Sequence, residues 1–522
     1  MRDDLRADAT RGTTLVALGQ ITARLAGLVR ERVLAQYLGT GAGADIFTAA
    51  TRIPGLLQQV LGDSLVLSAF VPAYARVRGR DDAAAAPRLA RTALVWLVQL
   101  ALVAVAGIAI TAPILVTAMG AGMPPDMQER TTRLVRVLAG ASGMIVVSGW
   151  AAGVLTVHRR YLLAQMAPVL SAGGVVVALV RADRQQSPLA LAETAAWGAL
   201  AGAALQLAFL MWRAMALAGP LGGGGPHRTA DAVGLARTAG PAAAHGALVR
   251  LAGWSDTALA TLLPTGALAT LAYGQLIAGI PISLVAVSTS TALVGQLAVE
   301  FERHDVAVAR QRVRDGLMRV AYFTVPAAAA FVALGDVVAA TIYQGGRFSA
   351  GDATAVWWVL AASAVGLLAT AERSVYATVF HARADTVTPL RLAAWRWAAR
   401  LLLSIGLGFV VPRALGLDQG WALAGITVAG GLTAWAELLF VRRALRPHIG
   451  NAGTGGTHGA TLWTAAIAAA GVATLLKPGV ARWSPVVGGL VILGTYAAIY
   501  VAVTAAFGIT TLLPRRRARQ RL

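Results

Sequence analysis

The chain has 522 residues, of which 57% are hydrophobic and only 13% are charged, a balance that excludes an ordinary soluble protein of this size. A formal net charge of +21 would suggest nucleic acid in a soluble protein. Here the arginines fall mainly in short links between apolar stretches, where membrane orientation explains them, so a nucleic-acid partner is excluded. The absence of cysteine excludes a disulfide framework and a thiolate metal site.

Apolar segments long enough to cross a bilayer, about 20 residues each, recur along the whole chain. They predict an all-α, polytopic membrane protein with about fourteen transmembrane helices. The predicted spans are 13–38, 44–75, 91–118, 132–157, 163–181, 188–216, 233–263, 266–299, 316–343, 354–380, 386–411, 417–441, 459–476 and 484–508.

The links between these spans alternate in charge. Links after even-numbered spans are rich in arginine, such as "HRRY" and "ERHDVAVARQRVR", whereas links after odd-numbered spans, such as "GAGMPPD" and "YQGGRFSAGD", carry little charge. Arginine concentrates on the cytoplasmic side of membrane proteins, so both termini are predicted to be cytoplasmic and the number of spans even. The chain has a single lysine, Lys477, among abundant arginine and alanine, a composition that fits a high-GC genome. The expected membrane is therefore a bacterial plasma membrane.

The two halves of the chain resemble each other weakly. Pro281 lies 227 residues after Pro54 (281 − 54), and Pro389 lies 221 residues after Pro168 (389 − 168), in similar surroundings. These offsets predict a duplicated six-span unit, and the even number gives both copies the same orientation. The expected division is an N-terminal lobe at 1–220, a C-terminal lobe at 221–445, and two extra helices with a basic tail at 446–522.

Charged residues inside predicted spans are the candidate functional residues, because charge at bilayer depth is costly and usually faces a wet cavity or a partner. Arginines from the two halves would line a central cavity suited to an anionic head group such as a phosphate or pyrophosphate, which guanidinium binds through two hydrogen bonds. The candidate substrate-binding residues are Arg24, Arg30, Glu31, Asp45, Arg52, Asp63 and Arg250, the last beside Asp256 and His245.

Ordinary structural roles remain open for several of these residues. Arg30 could extend its head group to the membrane surface, and Arg24 could form a structural ion pair. Arg52 could mark a helix end, while Asp63 and Glu372 could serve interhelical hydrogen bonds.

Motifs typical of enzymes are missing from the sequence. It contains no glycine-rich phosphate loop with Lys and Ser/Thr, no histidine pair at metal spacing and no nucleophile elbow. We therefore expect a protein that is not an enzyme and has no cofactor. Coupling is left open between a cation or proton bound by buried carboxylates and the membrane potential acting on the arginines.

Several stretches are similar to those of one known family. "ARLAGLVRERVLAQYLGTGAGADIFTAATRIPGLL", "SAFVPAY", "YQGGRFSAGDA" and "FHARADTVTPLRLA" resemble the MurJ/MviN family, the lipid II flippases of the multidrug/oligosaccharidyl-lipid/polysaccharide exporter superfamily. The resemblance implies a transporter that moves undecaprenyl-pyrophosphate-linked peptidoglycan precursor from the inner to the outer leaflet by alternating access. It also implies an arginine-lined cavity for the pyrophosphate and a groove at the two extra C-terminal helices for the lipid tail.

The resemblance assigns roles to residues that match the family pattern. Arg24 and Arg30 fall on its first-span cavity arginines and Glu31 on the acidic position beside the second. Asp45 and Asp63 fall on its second-span acidic positions.

The chain departs from the family pattern at several positions where arginine is usual. Gln58 and Gln59 replace an arginine pair, Leu276 replaces an arginine usually needed for flipping, and "FPRLS" becomes "VGQLA" with Gly295 and Gln296. Arg250 is the candidate that would compensate for the missing positive charge.

These departures keep alternative functions in view. The leading expectation is lipid II flipping, with membrane lipids and cell-wall synthesis proteins as partners. The alternatives are a flippase for another polyprenyl-linked glycan and a paralogue without transport that acts as a partner in cell-wall assembly. A cation-coupled drug exporter is less favoured, because its substrates would need carboxylates in the cavity.

Overall fold

The computed structural model describes residues 2–79, 85–218, 253–383, 385, 387–417, 419–450, 453 and 457–509. Across these ranges the chain is helical, and the one β interaction is an isolated bridge between Gly345 and Phe348. Eleven of the described helices are long and apolar enough to cross a membrane. The predicted all-α membrane fold is therefore confirmed.

The count of fourteen spans stays a prediction. The three predicted spans that are not among the eleven are 13–38, 44–75 and 233–263. The first two are helical along their length, and most of the third lies outside the described residues.

Contacts divide the chain into two compact units, and the predicted boundaries at residues 220 and 445 stay predictions. The first unit comprises Met1–Ala269 with Gly345–Phe348, and the second comprises Thr270–Gln344 with Ser349–Leu522. In the first unit the helices are α1 (Arg2–Leu38), α2 (Ala42–Leu57), α3 (Val71–Arg78), α4 (Ala85–Met119), α5 (Pro125–Val157), α6 (Tyr161–Met166), α7 (Pro168–Arg181), α8 (Pro188–Ala218) and α9 (253–261).

The core of the first unit forms where α5 meets the second predicted span. Trp150 of α5 is buried, and its indole nitrogen donates to the carbonyl oxygen of Ala90 at 3.0 Å. Phe70 stacks on Trp150, with ring centroids 6.2 Å apart, and on Tyr74, at 5.4 Å. A buried indole needs a hydrogen-bond acceptor, so this core fixes the register of α4 against α5.

The second unit contains the remaining helices and is helical in the same way. They are α10 (Ala267–Pro281, whose first residues belong to the first unit), α11 (Val287–Glu302), α12 (Val306–Tyr343), α13 (Ala350–Ala382), α14 (Val387–Ile405), α15 (Val411–Leu415), α16 (Gln419–Ile449), α17 (Thr457–Leu475), α18 (Lys477–Val480) and α19 (Pro485–Ala506).

The two C-terminal helices of the second unit pack on α12. Tyr496 and Tyr500 of α19 are buried and donate to the carbonyl oxygens of Pro326, at 2.7 Å, and Tyr322, at 2.8 Å. Lys477 pairs with Asp336 of α12 at 2.8 Å. Polar bonds between helices can hold them together in lipid, where apolar contact alone gives little preference.

Short π-helical segments interrupt two predicted spans at matching places. One covers Gln58–Phe70 and follows Pro54, and another covers Ile282–Ala286 and follows Pro281. The second begins 224 residues after the first (282 − 58), close to the offset of the two prolines. Because π-helical turns occur frequently at functional sites, they single out the second and eighth predicted spans. A third segment, Gly406–Val410, lies between α14 and α15.

Glycines allow the helices to approach closely in each unit. A Cβ added to Gly174 of α7 would lie 2.4 Å from the carbonyl oxygen of Gly198 of α8. In the second unit, a Cβ added to Gly425 of α16 would lie 2.1 Å from the carbonyl oxygen of Leu407. Small residues at such crossings are typical of membrane helices, because they let backbones approach each other.

The pair Gly173 and Gly174 offers a matched test of the α7 and α8 contact. Gly174→Ala should lower the free energy of unfolding by about 1–3 kcal/mol, because the helices must move apart. A Cβ at Gly173 meets nothing within 4 Å, so Gly173→Ala should be neutral or stabilising by at most about 1 kcal/mol. Thermal unfolding of both variants in detergent measures the difference, and equal behaviour would contradict the packing argument.

Candidate functional site

The arginines of the first predicted span lie in the second half of α1. Arg24 is exposed, whereas Arg30 is half-buried and donates to Oε1 of Glu31 from Nε at 3.1 Å and from Nη2 at 2.5 Å. The Arg30 side chain is still 40% exposed. Because a guanidinium has five N–H donors, Glu31 orients Arg30 without using all of them.

Asp45 lies in the first turn of α2 and is buried. Its carboxylate accepts hydrogen bonds from the backbone nitrogens of Gly266, at 2.6 Å, and Ala269, at 2.8 Å. Those amides open α10, whose positive N-terminal end favours an anion. Both carboxylate oxygens are therefore engaged in capping a helix, which gives Asp45 a structural role whatever else it contacts.

The other predicted site residues are placed only in part. Arg52 is half-buried on α2. Asp63 lies in the Gln58–Phe70 π-helical segment, but its side chain is outside the described part of the chain. Arg250 and His245 also lie outside the described residues, and the role predicted for Arg250 stays a prediction.

A second group of buried charges lies in the second unit, and only Glu372 among its members was a candidate from the sequence. Glu437 of α16 is buried and binds Arg396 of α14 at 3.1 Å and Arg373 of α13 at 3.4 Å. Glu372 pairs with Arg442, whose guanidinium lies over the ring of Tyr376 at 5.7 Å. The two carboxylates thus join three helices of this unit.

The arrangement of side chains suits anion binding better than metal binding. Among the described residues, no group of three or more His, Cys, Asp or Glu side chains could hold a metal ion. Arg24 and Arg30 of α1 instead each offer N–H donors, and a guanidinium binds phosphate through charge-assisted hydrogen bonds.

Comparison with protein families decides the relationship. The model of the family described as lipid II flippase MurJ matches residues 34–501, which is most of the chain. The protein belongs to the MurJ lipid II flippase family.

Relatives in other bacteria match over most of the MurJ length. A probable lipid II flippase MurJ of Rhizobium tropici is 27% identical over 514 residues, covering 95% of this chain and 94% of the relative. The lipid II flippase MurJ of Burkholderia cenocepacia is 28% identical over 387 residues, covering 72% and 73%.

Solved structures show the same fold. A lipid II flippase MurJ in an inward closed conformation superposes with a TM-score of 0.75 at 16% identity, covering 95% of this chain and 98% of that one. An inward-facing multidrug transporter of the MATE family in the MOP superfamily gives 0.63 at 15% identity, covering 81% and 95%. The fold is therefore shared beyond the MurJ family.

The positions at which this MurJ homologue departs from the family pattern have local explanations in two cases. Gln58 donates from Nε2 to Oγ of Ser142 on α5 at 2.8 Å. Gln296 accepts from Arg312 at 2.8 Å, and the same guanidinium binds Glu300 at 2.7 Å. Gln58 thus forms a neutral hydrogen bond to another helix, and Gln296 accepts from an arginine that also pairs with Glu300. Leu276 on α10 is partly exposed, and nothing in its surroundings explains the loss of an arginine.

The helix cap formed by Asp45 yields a stability prediction. Asp45→Ala should lower the free energy of unfolding by about 2 kcal/mol, because it leaves two backbone amides without their acceptor. Asp45→Asn should lower the free energy of unfolding by less than Asp45→Ala does, since the amide oxygen can still accept one hydrogen bond but the NH₂ group cannot accept the other. Thermal unfolding in detergent checks the order, with the exposed Asp126→Ala as control. If Asp126→Ala were as costly as Asp45→Ala, the cap would not explain the loss.

Proposed function

We propose that this protein is a flippase that moves lipid II, the undecaprenyl-pyrophosphate-linked peptidoglycan precursor, from the inner to the outer leaflet by alternating access. The observation that carries the proposal is the match to the MurJ family model along residues 34–501. The protein is then a transporter in the bacterial plasma membrane, not an enzyme. Both termini are cytoplasmic in this proposal, as the arginine-rich links favour.

The arginines of α1 and α2 supply the positive surface for the head group. Arg24 is exposed and Arg30 is 40% exposed, so both can reach a ligand. Glu31 fixes the direction of Arg30, which reduces the entropy lost when a pyrophosphate binds. The proposed set of substrate-binding residues is completed by Asp45, Arg52, Asp63 and Arg250.

The lipid tail has a matching surface in the second unit. A groove of about 650 Å³ lies among α12, α13 and α17. Its lining is almost entirely apolar: Ala328, Ala329, Val332, Ala333, Ala361, Ala364, Val365, Trp463, Ile467, Ala470, Gly471, Thr474 and Leu475. Many small side chains leave room for the methyl branches of a polyprenyl chain, so we assign this groove to the tail of the substrate.

No cofactor is part of the proposal, and the driving force is a cation, a proton or the membrane potential. A potential of 100 mV acts on each elementary charge with about 2.3 kcal/mol, so several guanidiniums that move with the substrate could use it directly. Beyond membrane lipids, proteins of cell-wall synthesis are the proposed partners, since they would consume the exported precursor.

One observation favours a second function. Leu276 stands at the position of an arginine that the family usually needs for flipping. A cavity with less positive charge would suit another polyprenyl-linked glycan, or a protein that no longer transports and acts as a partner in cell-wall assembly.

Complementation tests the proposed function. In a bacterial host depleted of its own lipid II flippase, this chain should restore growth and the exposure of lipid II on the outer leaflet. Arg30→Ala should reduce that exposure by about tenfold or more, the effect expected for loss of a charge-assisted hydrogen bond. Arg133→Ala is the control, because Arg133 is exposed and pairs only with Glu129 of its own helix among the described contacts.

The outcome separates the two candidate functions. Rescue that needs Arg30 but not Arg133 supports lipid II flipping without the arginine at position 276. Failure of a well-inserted protein to rescue would overturn the proposal in favour of another glycan or a partner role.

The groove yields a second prediction with a matched control. Gly471→Leu should reduce transport several-fold, because the new side chain fills the groove. The substitution should not disturb the fold, since a Cβ at this position meets no atom within 4 Å. Gly494→Leu adds the same group on α19, also in open space and away from the groove. Outer-leaflet lipid II, normalised to protein level, measures both. Equal transport by the two variants would argue against a tail in this groove.

A further inference from the structure

A small polar cavity lies at one end of the first unit. Three separate segments build it: the last turns of α1, the link between α7 and α8 together with the first turn of α8, and the turn at Gly345–Phe348. Its volume is about 270 Å³, and its lining residues are Gln36, Tyr37, Arg184, Leu191, Gly346 and Arg347. The segments belong to or adjoin links after the first, fifth and ninth predicted spans, which the charge pattern assigns to the outer side of the membrane.

The turn that carries Arg347 is seated firmly on α1. The backbone nitrogen of Arg347 donates to the carbonyl oxygen of Gln36 at 2.8 Å. Gly345 and Gly346 have φ values of +142° and +56°, and a Cβ on Gly346 would lie 2.3 Å from the Gln36 carbonyl oxygen. Glycine is required here both for the backbone conformation and for the close approach.

The guanidinium of Arg347 is held in place by one of its nitrogens. Nη2 donates to the carbonyl oxygens of Arg184, at 2.9 Å, and Gln186, at 2.7 Å. Nη1 is buried and has no hydrogen-bond partner among the described residues. A buried donor without an acceptor is costly, and a bound acceptor would remove that cost.

Arg184 is also oriented, by an aromatic ring. Its guanidinium lies over the ring of Tyr37, 5.2 Å from the centroid, and Nε donates to the Tyr37 hydroxyl at 3.3 Å. Arg184 is exposed, so its remaining donors are accessible. Stacking and one hydrogen bond reduce the freedom of the side chain without neutralising its charge.

Positive charge therefore accumulates around the cavity. In the described part of the chain, no carboxylate forms an ion pair with Arg184 or Arg347. The polar lining consists of two guanidiniums, an amide and a phenol, all of which can donate. A purely structural role for Arg347, joining its turn to the link between α7 and α8, would account for the hydrogen bonds of Nη2. It would not account for the unpartnered Nη1 or for the presence of Arg184 beside it.

We propose that this cavity binds a phosphoryl oxyanion. Phosphate oxygens accept from two guanidiniums more readily than any neutral ligand would. A volume of about 270 Å³ lies just below that of pockets for drug-sized molecules, so the cavity holds a phosphate-bearing head group and not a whole lipid-linked glycan. The ligand is a phosphate or pyrophosphate, free in solution or on a lipid of the outer leaflet.

The site is independent of the proposed transport function. It uses neither Arg24 nor Arg30, and it lies wholly on residues of the first unit. Because its ligand would bridge three chain segments, binding should stabilise the folded protein by an amount that grows with the logarithm of ligand concentration above the dissociation constant.

The test measures binding in a full-length protein that carries Arg24→Ala and Arg30→Ala. This background removes the two α1 arginines assigned to the substrate, and the dependence of binding on Arg184 distinguishes the cavity from the substrate-binding arginines that remain. One arm titrates the purified protein with inorganic pyrophosphate by calorimetry. The other compares retention of phosphatidylglycerol and phosphatidylcholine in nanodiscs by native mass spectrometry.

Arg184→Gln is the decisive variant and Arg181→Gln its control. Arg181 is exposed at the end of α7, three residues away, and does not line the cavity. We expect Arg184→Gln to weaken binding about tenfold or more and Arg181→Gln to change it less than about twofold. Tyr37→Phe removes the hydroxyl but keeps the ring, so it should weaken binding by a smaller factor. Thermal unfolding without ligand shows whether each variant is folded.

The outcomes are distinct. Binding of pyrophosphate that depends on Arg184 supports a site for a free or lipid-borne diphosphate, and Arg184-dependent retention of phosphatidylglycerol alone supports a phospholipid head group. The proposal is overturned if neither ligand binds, or if Arg181→Gln weakens binding as much as Arg184→Gln.

Discussion

A membrane interior offers no water to charged or backbone polar groups, and this constraint determines most of the structure. Helices satisfy their own backbone, which explains why the described chain is helical almost throughout. Buried carboxylates must find donors inside the protein. Glu437 finds two arginines on two other helices, and Glu372 finds Arg442. Each such contact joins helices that apolar packing alone would not distinguish from lipid.

The same constraint distinguishes arginines in buried ion pairs from arginines that remain accessible. In the second unit the buried acids are paired and hold helices together. In the first unit, Arg24 is exposed, and Arg30 remains 40% exposed although it pairs with Glu31. Arg184 and Arg347 are held by a ring and by carbonyl oxygens, groups that orient a guanidinium but leave its charge. Accessible guanidinium groups of this kind are a reason to expect an anionic ligand, whereas ion pairs to buried carboxylates are a reason to expect a structural role.

Much of the fold could be predicted from the sequence, because the local hydropathy of a segment determines whether it can form a membrane-spanning helix. Hydropathy indicated the helices, but the π-helical segments that begin soon after Pro54 and Pro281 were not predicted. The contacts of individual side chains could not be predicted, since their partners are remote in sequence. Asp45 accepts from an amide 221 residues away, and Arg442 finds Glu372 70 residues away. The motif "YQGGRF" contributed to the resemblance, yet nothing local in it indicated that Arg347 would reach Gln36 and Gln186.

The two ends of a lipid-linked glycan need different environments, and the surfaces proposed for them lie in different parts of the chain. A polyprenyl tail stays in hydrocarbon throughout transport and needs no charge, which is why the alanine-rich groove among α12, α13 and α17 is proposed for it. The pyrophosphate cannot leave water unless its charge is compensated at every depth. Transport of the head group is therefore the step that requires work from the protein, and the number of accessible arginines should limit it. On this argument the loss of arginine at Leu276 matters more than any change in the groove, because no apolar contact can replace a missing positive charge.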